Sequence, residues 1–241
     1  MAVEDEKARE RRTRSARKES GLKIIELKET ITASNDRDAD RLRAELKEKG
    51  VLLINLMASP GAGKTTLLER TIRDLTPALR IGVLEADVDS SVDAVRAEQA
   101  GAKAVQVHTG GMCHMDAGMT RTGLDELGIE DLDVVFLENV GNLICPAEFD
   151  TGAGRKVMLL STPEGDDKPL KYPLMFRESD LLIVTKTDVA PYFDFDFAKC
   201  ASRARNLNPE IGILTLSAKT GDGFAAWEDW LLKAIEEWKK R

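Results

Sequence analysis

The stretch Ala58-Ser59-Pro60-Gly61-Ala62-Gly63-Lys64-Thr65-Thr66 brings together the residue types that hold a phosphate. Glycines let backbone N–H groups approach phosphate oxygens closely. A lysine adds a compact positive charge, and the hydroxyl after it can ligate Mg²⁺. An apolar run precedes this stretch and a helical one follows, so the turn stands where a helix N-terminus adds its partial positive charge. The candidate nucleotide contacts are therefore Pro60, Gly61, Ala62, Gly63, Lys64, Thr65 and Thr66. Lys64 is assigned to the β and γ phosphates and Thr65 to the metal ion. Ala58 stands where the usual pattern has its first glycine.

Two later motifs bear on the base. Thr185-Lys186-Thr187-Asp188 resembles the Asn-Lys-x-Asp base motif of GTPases, with Thr185 in place of Asn. The Asp188 carboxylate can accept from the ring N–H and exocyclic amine of guanine, a donor pair that adenine lacks. The stem of Lys186 can cover the face of the base. Ser217-Ala218-Lys219 resembles the second base-contacting loop. GTP over ATP is the expectation. A phosphate sensor is suggested by Glu138-Asn139-Val140-Gly141, which resembles the Asp-x-x-Gly switch with Glu for Asp. Glu138 would hold Mg²⁺, directly or through water, and the Gly141 N–H would meet the γ-phosphate. Asp87 and Asp93 are further Mg²⁺ or switch candidates, with helix capping as the competing role. No general base stands out, so slow intrinsic hydrolysis is expected.

A third chemistry rests on sulfur and imidazole. Histidine occurs only at 108 and 114, and cysteine only at 113, 145 and 200. Cys113 and His114 are adjacent, and Cys145 lies four residues beyond Gly141. Thiolate and imidazole suit zinc or nickel, and three ligands leave a position open. Neighbours on an extended chain point to opposite sides. Cys113 and His114 thus share one metal only if the backbone bends, or else Cys113 bridges two metals across an interface. If Cys145 is a ligand, loss of the γ-phosphate would move it, coupling metal affinity to nucleotide state. Cys200 and His108 read as structural.

These groups need a scaffold. Of 241 residues, 42% are hydrophobic and 32% charged, with a net charge of −7. That balance argues against a general nucleic-acid or anionic-membrane binder. No apolar run is long enough to span a bilayer. Three cysteines do not make a disulfide framework, which points to a reducing cytoplasm. Residues 1–20, with seven Lys/Arg and five Asp/Glu, read as a mobile charged tail. Leu22, Ile25, Leu27, Ile31, Leu42 and Leu46 suit one or two amphipathic helices over 21–50, stopped by Gly50. From 51 to 241 continuous apolar runs alternate with helical stretches. The runs are Val51–Met57, Ile81–Glu85, Ala104–Val107, Val134–Leu137, Val157–Leu160, Leu181–Val184 and Ile211–Leu216. Helices are expected over 64–75, 91–100, 116–127 and 196–207. Phe224, Trp227, Leu231, Ile235 and Trp238 form a core-facing stripe on a last helix. Residues 164–173 read as a polar turn or hairpin. The expected architecture is an α/β P-loop fold, a doubly wound, mostly parallel sheet flanked by helices, with an N-terminal helical extension.

Together these residues resemble the hydrogenase nickel-incorporation GTPase family, HypB, within the signal-recognition/MinD-type division of P-loop GTPases. The likeness covers roughly residues 22–239. It rests on Ser59–Thr66, Asp93–Arg96, Gly101–His114, Glu138–Pro146 and Tyr172-Pro173. It implies a metallochaperone that hydrolyses GTP while helping to insert nickel into the [NiFe]-hydrogenase large subunit. The family's metal ligands fall on Cys113, His114 and Cys145. The resemblance also implies a GTP-favoured homodimer, a HypA-like nickel chaperone and the hydrogenase large-subunit precursor as partners. No Cys or His precedes residue 108, so the family's N-terminal Cys-rich or His-rich nickel tracts have no counterpart here. Alternatives on the same fold are a urease-type or cobalamin-enzyme accessory GTPase and a small-molecule kinase.

Overall fold

A computed structural model describes residues 27–87 and 92–240, so the expected charged tail over 1–20 lies outside the described residues. The chain divides into two compact units, one up to Ala33 and one from Ser34. Helix α1 runs Leu27–Lys49 and stops at Gly50, whose φ of 70° suits a residue without a side chain. The elements that follow alternate. They are β1 (Leu52–Ala58), α2 (Lys64–Leu75), β2 (Ile81–Asp87), α3 (Val92–Ala100), β3 (Lys103–His108), α4 (Ala117–Leu127) and β4 (Val134–Glu138). Then come the short α5 (Cys145–Glu148), β5 (Arg155–Ser161), α6 (Lys168–Lys171), α7 (Pro173–Glu178), β6 (Leu181–Thr185), α8 (Phe197–Leu207), β7 (Gly212–Thr215) and α9 (Phe224–Lys240).

All seven expected strands form. They make one parallel sheet in the order β3-β2-β4-β1-β5-β6-β7. Their apolar runs are continuous because the sheet is covered on both faces. β1 shows this directly. Leu52, Ile54 and Leu56 face a core with Trp227, Leu231 and Ile235 of α9. Leu53 turns the other way, to a cluster with Leu42 and Leu46 of α1 and Val135 and Leu137 of β4. Each such side chain contributes roughly 1.5–3 kcal/mol on leaving water. The α9 stripe holds as expected except at Trp238, which is half-buried and packs against both clusters.

The polar stretch 164–173 is not a hairpin. A 3-10 turn at Thr162–Glu164 leads into α6, and Pro169 and Pro173 stand at the starts of α6 and α7. Proline is preorganised for a first helical turn and withholds the N–H that a hairpin ladder needs. Arg203 of α8 holds Asp166, so the segment is anchored.

In a parallel sheet every strand ends on the same edge. The strand ends on that edge are Ala58, Asp87, His108, Glu138, Ser161, Thr185 and Thr215. The chain leaves β1 for β2 on one side and later crosses β1 to reach β5 on the other. Ligands of such folds bind at that reversal of strand order.

Candidate nucleotide and metal sites

The phosphate loop turns between β1 and α2. Gly61 (φ 75°) and Gly63 (φ 104°) take the left-handed conformation that L side chains resist. Lys64 is buried at the first turn of α2, and Thr65 donates from Oγ1 to Glu138 Oε1 at 2.9 Å. Gly141 lies against this loop. A side chain there would stand 2.9 Å from the Pro60 backbone nitrogen. The two segments thus enclose one cavity of about 500 Å³ that also takes in Glu85, Asp93 and Arg96.

Carboxylates gather beside Lys64. Oxygens of Glu85, Asp93 and Glu138 lie within 4.8 Å of one another. β2 and β4 place Glu85 directly beside Glu138 in register. Burial raises the pKa of both glutamates, and each neighbour's negative charge raises that of Glu85 further. Lys64 and the Thr65 hydroxyl oppose the rise at Glu138. Glu138 Oε2 is buried and finds no hydrogen-bond partner among the described residues. Hard oxygen donors, crowded negative charge and an orphaned oxygen fit a divalent cation such as Mg²⁺. Asp93 also pairs with Arg96 at 3.1 Å, and Arg96 grips Glu69 through both nitrogens of its fork, at 2.8 and 2.9 Å. The Asp87 side chain lies outside the described residues.

Glu85 is the acid that sequence reading passed over in favour of Asp87 and Asp93. Its signal was present. Ile81–Glu85 and Val134–Glu138 are both apolar runs that close on a glutamate, and the structure buries both. A charge at such a place is costly unless it has a task.

A second cavity, of about 370 Å³, is lined by Gly63, Thr66, Lys186, Asp188 and the Ser217–Lys219 loop. Asp188 stands in a 3-10 turn, and Ser217 Oγ donates to its Oδ1 at 2.7 Å. The loop needs Gly223, where a side chain would collide with the Thr215 carbonyl. Lys186 has φ 58°, and its Nζ donates to the Gly61 carbonyl at 2.7 Å. Thr185 also reaches the phosphate loop: its buried hydroxyl donates to the Ala62 carbonyl at 2.6 Å. The Asn-to-Thr departure therefore leaves a strut between the base motif and the phosphate loop.

The sulfur and imidazole candidates meet. Cys113 Sγ is 2.7 Å from Cys145 Sγ and 3.9 Å from His114 Nδ1, and one ligand atom from each residue lies within 4.8 Å of the others. The backbone bends to allow this. Gly110 and Gly111 have φ of 63° and 89°, and Thr109 bonds across the turn to Met112 through both its carbonyl and its hydroxyl. One chain thus brings Cys113 and His114 to a common point. His114 is nearly buried and stacks on Phe149 with centroids 3.9 Å apart. Burial lowers its pKa against the pull of Asp116 and Glu148, which favours the neutral imidazole that binds metals. Cys113 is exposed, and Cys145 opens α5. Cys200 is buried in the core as expected, whereas His108 ends β3 exposed to solvent and packs in no core.

Comparison with known proteins places this arrangement. Residues 52–215 match the family model described as "CobW/HypB/UreG, nucleotide-binding domain". The hydrogenase maturation factor HypB of Rhizobium leguminosarum bv. viciae is 46% identical over 209 residues, 87% of this chain and 70% of that protein. The crystal structure of HypB from Helicobacter pylori in complex with nickel superposes with a TM-score of 0.81 at 36% identity, covering 85% of this chain and 96% of that one. HypB from Archaeoglobus fulgidus gives a TM-score of 0.79 at 39% identity, covering 84% and 99%. The chain therefore belongs to the CobW/HypB/UreG nucleotide-binding family and, within it, to the HypB hydrogenase maturation factors.

Proposed function

We propose that this protein hydrolyses GTP to GDP and phosphate and hands nickel on during assembly of a [NiFe]-hydrogenase large subunit. The observation that carries this reading is the gathering of Cys113, His114 and Cys145 beside the loop whose Gly141 touches Pro60. The relatives named above are hydrogenase factors, so the urease-type, cobalamin-type and kinase alternatives are not favoured. The division we propose is a charged tail over 1–20, a helical extension over 21–50 and a GTPase unit over 51–241.

The roles follow from position. Lys64 and the Gly61–Thr66 backbone neutralise and orient the β and γ phosphates. Asp188 selects guanine, held in place by Ser217, while Lys186, Ala218 and Lys219 wall the base. Thr65, Glu85, Asp93 and Glu138, with Asp87 at the strand end, would hold Mg²⁺. When bound, the ion supplies electrostatic stabilisation of charge on the transferring phosphoryl group. Gly141 senses the γ-phosphate, and its movement reaches Cys145 four residues later. Nickel is cargo here. Two thiolates and one imidazole leave a position open for donor or acceptor, and zinc suits the same ligands. A GTP-favoured homodimer, a HypA-like nickel chaperone and the hydrogenase precursor are the proposed partners, in the cytoplasm. No described helix is long and apolar enough to cross a membrane.

The test is a nickel titration of the whole protein with GDP and with a non-hydrolysable GTP analogue, following affinity and molecular size together. The expected result is a dimer with the analogue and a nickel affinity that differs between the two states. Equal affinity and equal size in both would overturn the reading.

A further inference from the structure

Asn139 is an amide where the interior would otherwise take an apolar side chain. It is 1% exposed, and Leu137, two residues before it, is fully buried. A buried amide is tolerated only when its hydrogen bonds are made, and these run to three separate segments. Its Oδ1 accepts from the Val140 N–H at 2.9 Å and from the Met115 N–H at 3.2 Å. Its Nδ2 donates to Asn55 Oδ1 at 3.0 Å, and Asn55 is itself 1% exposed within β1. Its backbone N–H donates to the Leu56 carbonyl at 3.1 Å.

Each partner has a place in the site. β1 leads into the phosphate loop. Val140 precedes Gly141, which rests on Pro60. Met115 follows Cys113-His114, and it is fully buried, so its N–H has no water to turn to. One side chain therefore joins the floor of the phosphate loop, the phosphate-facing segment and the segment carrying two of the three nickel ligands. Cys145 belongs to the phosphate-facing segment by chain connection. Cys113 also meets Cys145 sulfur to sulfur, and His114 stacks on Phe149 just beyond it. Asn139 differs in joining the backbone N–H of Val140, next to Gly141, to the backbone N–H of Met115 through one shared acceptor.

We propose that Asn139 is the positioning residue that couples nucleotide state to nickel affinity. When the terminal phosphate draws Val140 and Gly141, the shared acceptor carries the Met115 N–H with them and resets Cys113 and His114 against Cys145. This rests on the function proposed above.

The experiment measures nickel affinity of the full chain with GDP and with a non-hydrolysable GTP analogue, in the parent, Asn139→Ala and Asn139→Asp. Coupling between sites is typically about 5- to 150-fold. Asn139→Ala is expected to bring the ratio of the two affinities to within about twofold of one, the remnant of a coupling of that size. Asn139→Asp keeps an oxygen for both N–H groups. The Nδ2 of Asn55, buried without a partner among the described residues, can turn to donate to it. This variant is expected to retain most of the parental ratio, a rescue that a merely structural role does not require. A parental ratio that survives in Asn139→Ala overturns the inference alone. A collapse in Asn139→Asp equal to that in Asn139→Ala also overturns it. A ratio of one in the parent overturns the proposed function and the inference with it. The parent supplies one readout that needs no variant to fold: the NMR shift of the Met115 amide, without nickel, must differ between the two nucleotides. An unmoved amide contradicts the proposal.

Discussion

Thr185 commits its hydroxyl to the Ala62 carbonyl, so its contribution to nucleotide binding runs through the shape of the phosphate loop. Thr185→Ala is expected to weaken GDP and GTP alike by roughly fivefold, the equivalent of one hydrogen bond of about 1 kcal/mol, with the preference for guanine intact. Asp188→Ala removes the proposed acceptor of the guanine donors, and selectivity over ADP should fall by on the order of 100-fold. Fluorescent-nucleotide titrations measure both. At Glu85 the issue is charge. Burial first, then Glu138 and Asp93, raise its pKa, so the folded protein holds this proton more tightly than the unfolded chain. The associated stability is complete on the acid side of the ordinary carboxylate range and is lost as pH climbs toward the raised value. Glu85→Gln should therefore raise the Tm of the metal-free, nucleotide-free protein at pH 8 and flatten its dependence on alkaline pH. The same variant should weaken the Mg²⁺ dependence of GDP release. An unchanged Tm profile together with unchanged Mg²⁺ dependence would count against a cation at this cluster.

At the scale of elements, function depends on how closely two loops approach. Gly141 has no room for a methyl group beside Pro60. Gly141→Ala pushes the phosphate-facing segment off the phosphate loop, a strain of about 1–3 kcal/mol. Nucleotide affinity and the nickel response to GTP are both expected to drop, as isothermal titration would register. The types of these elements were legible in advance, since continuous apolar runs and helical spacing marked the strands of the sheet. The polar stretch 164–173 was not, because its prolines serve equally as turn residues and as the first turns of α6 and α7. Pattern alone does not separate those uses. The bend at Cys113-His114 was also left open, although Gly110 and Gly111 just before it supply the freedom that the chain uses.

Across the whole molecule the two edges of the sheet divide the work. The C-terminal strand ends carry the two cavities lined by the phosphate and base motifs, and the opposite edge carries an ion-paired cluster that stabilises the fold. There Asp133, just before β4, accepts from the Arg80 N–H and guanidinium at 3.0 Å and from Lys239 of α9 at 2.7 Å. Arg80 above all, then Lys239, hold its carboxyl well below the usual range despite partial burial. Such a group stabilises the fold above the ordinary carboxylate pKa and loses that contribution as pH falls toward its lowered value. Asp133→Asn should cost roughly 1.5–3 kcal/mol near neutral pH by urea unfolding. The gap from the parent should narrow in strong acid, with guanine-nucleotide affinity within about twofold, since hydrogen bonds this far from the site couple weakly to it.

Residue types and their order determined the chemistry available to this protein. The phosphate loop, the Asp188 and Ser217 motifs, the Glu138–Gly141 segment and the Cys/His set were each readable as short stretches, because local backbone demands and donor–acceptor patterns are local properties. Which of them act together was decided only by tertiary structure. Glu85 joins Glu138 because β2 and β4 pair in register, although 52 residues separate them in the chain. Cys145 meets Cys113 because two loops leave the same edge of one sheet. Asn139 gains the role proposed for it from contacts with β1 and with Met115 that spacing could not foretell. Long-range pairing is set by the summed burial of whole elements, and no short window of sequence contains that sum.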